Sequence, residues 1–159
     1  MSINNQPTIL IFDVDGVMTS GQFIYSSNEK VYKIFGAHDS DGLKLLKNKL
    51  KILFVTADKR GFEISKKRIN IDLGYQIELV SEEDRYQYLD KKYNIRNIIY
   101  MGDGLHDAKI LKDCFFGIAP QNARIEAKKN ADFITPSRSA EGAVLDACLE
   151  IAKKFFTKF

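Results

Sequence analysis

The chain of 159 residues is 45% apolar and 28% charged with a formal net charge of +3, values that fit one domain over 1–159 and exclude disorder or a membrane protein. Its lysines are spread over the whole length, so no basic stripe argues for a nucleic-acid partner. Cys114 and Cys148 lack the paired spacing of a zinc or redox site and read as reduced, packed thiols. The segment Met1–Pro7 has neither a basic n-region nor an apolar h-region, so a cytoplasmic location is expected.

Thr8–Asp13 is a continuous apolar run ending in acid, which is how a buried parallel strand reads when its C-terminal end opens onto a site. A β-hairpin flap follows over about residues 20–36: Gln22–Tyr25, a turn at Ser26–Glu29, then Val31–Phe35. Phe23, Tyr25, Val31 and Ile34 are expected to form its apolar face. Leu43, Leu46 and Leu50 carry helical spacing, and Lys51–Thr56 is the next buried strand. Ile64 and Ile69 mark a second helix before the strand Gln76–Val80. Ser81 reads as the N-cap of a third helix starting near Glu82, with acids in its first turn and Tyr86, Leu89 and Tyr93 on one face. The runs Asn97–Met101, Phe115–Ile118 and Asp132–Thr135 supply the remaining strands. A closing helix follows, with Val144, Leu145, Cys148, Leu149 and Ala152 on one face. Strands alternating with helices predict an α/β, doubly wound parallel sheet without a large cap domain, and ligands in such sheets sit beyond the carboxyl ends of the strands.

Chemistry concentrates at those ends. In Asp13-Val-Asp15-Gly16 the alternate acids leave the strand together while Gly16 lets the chain turn away. Facing carboxylates call for a hard divalent cation, and Mg²⁺ suits a site that must also hold phosphate. A turn in which both acids cap backbone amides is the alternative; an EF-hand is excluded by Val17 and Met18 where ligands should follow. A second acidic strand end, Met101-Gly-Asp103-Gly-Leu-His-Asp107, supplies the carboxylate that a site shared with Asp13 requires. At a third, Thr56 and the amides after it, starting with Ala57, present donors for phosphate oxygens.

The order Asp13-x-Asp15-Gly, Thr56, Gly102-Asp103-Gly-x-x-Asp107 resembles the haloacid dehalogenase superfamily of phosphatases. The hairpin, Phe35-Gly-Ala-His-Asp39 and Glu141-Gly-Ala-Val-Leu-Asp146 are similar to its capless branch, which acts on 3-deoxy-D-manno-octulosonate 8-phosphate and nonulosonate 9-phosphates. The resemblance implies Asp13 as nucleophile and Asp15 as acid/base. It implies Mg²⁺ on the Asp13 carboxylate, the Asp15 backbone carbonyl and the Asp103 carboxylate, with Asp107 supporting from behind. Thr56 and Ala57 would hold phosphate, and His38 and Asp39 fall in the substrate loop, while His106 is expected at the rim. The family's Thr-Gly-Arg is Thr56-Ala57-Asp58 here, and its phosphate-binding Lys is absent, leaving Arg85 as the best substitute to bind phosphate, with Lys59 and Lys109 as other candidate cations. Members of the branch form homotetramers through the hairpin, and the same is expected here. The rival reading is a non-catalytic phosphate-binding module, receiver-like or a degenerate relative of these enzymes.

Overall fold

The computed structural model describes residues 6–156, so both ends of the expected domain, 1 and 159, lie outside the described residues. Strands β1 (Ile9–Asp13), β4 (Lys51–Thr56), β5 (Gln76–Leu79), β6 (Ile98–Met101), β7 (Phe116–Ala119) and β8 (Phe133–Ile134) form one sheet in the order β5-β4-β1-β6-β7-β8. Every pairing in it is parallel. The order reverses direction at β1, which places the crevice of a doubly wound sheet beside the end of that strand.

Both faces of the sheet are covered, because strand side chains alternate. Leu10 and Phe12 point to the side where α1 (Asp39–Leu46), α2 (Phe62–Lys66) and α6 (Ala143–Phe155) lie, and Phe12 stacks on Phe54 with ring centroids 5.1 Å apart. Ile9 and Ile11 point to the opposite side, against Leu89 of α3 (Glu82–Tyr93), Ile110 and Leu111 of α4 (Ala108–Asp113) and Ala127 of α5 (Ile125–Asn130). Burial of each such side chain contributes about 1.5–3 kcal/mol, and it fixes the register on which the strand-end acids depend. Ser81 caps α3 as read, its Oγ accepting from the Asp84 N–H at 3.2 Å. The second helix departs from the expected spacing: after Lys66 it continues as a π-helical turn, Lys67–Asp72, and the buried residues are Ser65 and Ile69 rather than Ile64 and Ile69.

The flap is an antiparallel pair, β2 (Thr19–Tyr25) and β3 (Lys30–Phe35), separate from the main sheet. Its expected apolar face is split. Ile24 pairs with Tyr32, but Tyr25 pairs with Lys30, so Val31 is an extra residue bulging from β3. Phe23 and Tyr25 therefore share a face with Lys33 and Lys30, while Ile24, Tyr32 and Ile34 form the other, and the apolar side chains of both faces are exposed. The two inward lysines are buried.

Candidate active site

Asp13 ends β1 with its Oδ1 accepting from the Val14 N–H at 2.8 Å. The chain then folds back tightly: the N–H groups of Val17, Met18 and Thr19 all donate to the Val14 carbonyl. Thr19 Oγ1 accepts from Gly16 and Gly21 and donates to Asp15 Oδ1 at 3.2 Å. Gly16 is required twice over. Its φ of +85° favours glycine, and a Cβ there would lie 1.9 Å from Asp103 Oδ2. The absent side chain is what admits the neighbouring strand's carboxylate to the loop after β1.

Carboxylate oxygens of Asp13, Asp103 and Asp107 all lie within 4.8 Å of one another. Asp107 is buried and fully held: Oδ2 accepts from the Asp103 and Gly104 N–H groups at 3.0 and 2.9 Å, and Oδ1 from the Tyr100 hydroxyl at 2.6 Å. Arg85, also buried, reaches across with a guanidinium nitrogen 3.3 Å from both Asp13 Oδ1 and Asp107 Oδ1. Burial pushes the Asp13 carboxyl well above its ordinary range against the opposing pull of Arg85, with Asp107 and Asp103 adding to the rise. Burial, reinforced by Asp107, pushes Asp103 up to about 7. One guanidinium does not balance three clustered acids, and an all-oxygen donor set of this kind fits a hard divalent cation. The Asp13 and Asp103 carboxylates are the side chains that would hold it, with Asp107, whose oxygens are already engaged by Tyr100, Arg85 and two backbone N–H groups, standing behind them. The Asp15 carboxylate stands outside the cluster.

The acids open into a cavity of about 480 Å³ whose walls include Phe23, Lys30, Thr56, Ala57 and His106. Thr56 and Ala57 thus stand where phosphate-binding residues were expected. Of the candidate cations, Arg85 is at the site. Lys59 is exposed, Lys109 lies over the Tyr86 ring at 4.1 Å, and neither lines the cavity. His106 sits at the rim, 3.4 Å from Glu82. The substrate-loop pair is not brought together with the acids: His38 is exposed and outside this cavity, and Asp39 is buried. Asp39 Oδ1 accepts from the Val144 and Leu145 N–H groups at 3.0 and 3.4 Å. It caps the first turn of α6 instead of facing a substrate, because those amides have no partner within their own helix.

Sequence reading missed a second cluster. Asp58, standing where an arginine was expected, pairs with Lys30 and, at 2.8 Å, with Lys33, whose ammonium also meets Asp15 Oδ2 at 2.9 Å. Burial alone would raise Asp58, but its bonds to Lys30 and Lys33 hold it below the usual carboxylate range. The acid at position 58 was the available signal, since a largely enclosed acid set beside other acids demands cations from elsewhere.

A family model described as haloacid dehalogenase-like hydrolase matches residues 4–147. The chain belongs to that family, and it is a phosphatase. Among its relatives, the 3-deoxy-D-manno-octulosonate 8-phosphate phosphatase of Haemophilus influenzae is 28% identical over 139 residues, 84% of this chain and 76% of that protein. The Escherichia coli K12 protein of the same name is 26% identical over 145 residues, 88% of this chain and 76% of its own. The Moraxella catarrhalis phosphatase, solved with magnesium, phosphate and KDO, superposes with a TM-score of 0.79 at 27% identity, covering 92% of this chain and 86% of that one.

Gly16→Ala is expected to abolish measurable turnover while the protein stays folded by circular dichroism, because the added methyl displaces Asp103. Asp39→Ala is expected to lower unfolding free energy in urea by about 1–2 kcal/mol, the usual cost of losing a helix cap, with KM unchanged; a raised KM at unchanged stability would restore Asp39 to the substrate loop.

Proposed function

We propose that the chain is a Mg²⁺-dependent phosphomonoesterase that hydrolyses a small sugar-acid phosphate through an aspartyl-phosphate intermediate. The observation that carries this reading is the convergence of Asp13, Asp103 and Asp107 on one point, with Arg85 at 3.3 Å from Asp13 and a cavity above them. The substrate class rests on the relatives, which are named for 3-deoxy-D-manno-octulosonate 8-phosphate.

The Asp13 carboxylate attacks phosphorus as the ester P–O bond breaks, and protonated Asp15 gives its proton to the departing oxygen. Asp15, now a carboxylate, takes a proton from water; the water oxygen bonds to phosphorus, the bond to Asp13 breaks, and inorganic phosphate leaves. Arg85 offsets charge on the transferring group, where a fixed cation in a buried site is worth most. Thr56 Oγ1, which accepts from the Asp58 N–H at 3.1 Å, has its own hydrogen to give a phosphate oxygen. Magnesium, held by the acid cluster, would add charge neutralisation and in-line orientation. Nothing observed favours the receiver-like alternative: the cation beside the nucleophile comes from α3 and not from a late strand.

The proposal extends to assembly as a homotetramer. Ile24, Tyr32 and Ile34 are 51%, 62% and 48% exposed on the outer hairpin face, an apolar patch on an edge that stays soluble best when another copy covers it.

Incubation with a panel of sugar-acid phosphates and magnesium is expected to release inorganic phosphate. Asp13→Asn should reduce release to background, and chelation should abolish it until magnesium is restored. Equal release by wild type and mutant refutes the reading. In light scattering, wild type is expected at four times the chain mass and Tyr32→Glu at a smaller multiple; a monomeric wild type refutes the assembly.

A further inference from the structure

Lys33 is a buried ammonium that the reaction as drawn does not use. Its side chain is fully inaccessible, and Nζ meets three oxygens: Asp15 Oδ2 at 2.9 Å, Asp58 at 2.8 Å and Ser65 Oγ at 2.8 Å. An ammonium has three hydrogens to give, so this one is saturated and has no capacity left for substrate. Its partners come from different parts of the chain: the loop after β1, the turn after β4 and helix α2. The lysine itself is carried by the flap. Gly61 shows how closely the arrangement is built, since a Cβ there would lie 2.7 Å from Lys33 Cε and 2.3 Å from Asp58 Oδ2.

From this geometry we propose that Lys33 is the positioning residue for the Asp15 carboxylate in the phosphatase reaction. The inference rests on the proposed phosphatase reading and deepens it. Lys33 claims Oδ2, so the oxygen left to carry the transferable proton is Oδ1, which the Thr19 hydroxyl steadies at 3.2 Å. Without that grip the Asp15 side chain is free to rotate, and proton delivery to the leaving oxygen loses its fixed geometry. The bulge at Val31 serves the same end. It puts Lys30 and Lys33, three apart in sequence, on one face, so that Lys30 pairs with Asp58 while Lys33 bridges Asp58 to Asp15.

The dependence on leaving group separates positioning from mere scaffolding. The quantity to read is kcat/KM, which reports steps through formation of the aspartyl-phosphate. An alkyl phosphate needs a proton on its leaving oxygen in that step, whereas p-nitrophenyl phosphate does not. Lys33→Met is expected to lower kcat/KM for the alkyl ester by about 100-fold, the lower range of a general acid's contribution, and for p-nitrophenyl phosphate by less than about 5-fold. Ser65→Ala, which removes one acceptor and leaves the ammonium in place, should show the same asymmetry at smaller size, about 3–10-fold on the alkyl ester. It serves in place of Lys33→Met if that variant does not fold. Equal losses on both esters, or none on either, overturn the proposal. Wild type inactive on both esters, or Asp13→Asn as active as wild type, instead overturns the phosphatase reading itself.

Discussion

The organising constraint of this molecule is electrostatic: adjacent parallel strands, β1 and β6, deliver Asp13, Asp103 and Asp107 to one buried point. Like charges in a desolvated space repel strongly, so the arrangement persists only with compensation. Arg85 supplies part of it from α3, and Tyr100 donates to Asp107 from within the sheet. The remainder matches a divalent cation in charge and donor chemistry. Desolvation that makes the acids expensive also makes each nearby cation effective, so a buried guanidinium counts for more here than a solvent-exposed lysine would.

A second tier of charge follows from the first. Asp58 and Asp15 stand beside the acid cluster, and the hairpin answers them with Lys30 and Lys33. The flap is thus bound to the site by ion pairs drawn from its inner face, while its outer face keeps apolar side chains exposed. Both faces are committed, one inward to chemistry and one outward to the surface.

The sheet was legible because alternation and apolar runs report burial directly: β1 and β4 to β8 fall on the expected segments within a residue or so at each end. The acids at positions 13, 15, 103 and 107 were legible because their spacing relative to strand ends has few structural uses. Arg85 emerged as the best substitute for a missing lysine but not as a partner of Asp13, since a helix position says nothing of what lies across the gap. Lys30 and Lys33 escaped notice because lysines in a hairpin ordinarily face solvent, and their burial depends on a bulge that no residue type announces. Asp39 misled for a related reason: its partners, the amides of Val144 and Leu145, lie over a hundred residues away, and long-range capping leaves no local spacing to read.

Val31 has one further consequence, for how the flap can vary in length. Surface hairpins usually accept or lose single residues with little penalty. Here the extra residue sets the phase of β3, so deleting it would rotate Lys30 toward solvent and leave Asp58 with one cation in place of two. Changes in length are therefore admissible at the Ser26–Glu29 tip, beyond the last paired residues, and forbidden between Lys30 and Lys33. The flap behaves less like a loop than like a ruler, on which a single misplaced notch miscounts the distance from solvent to the buried acids.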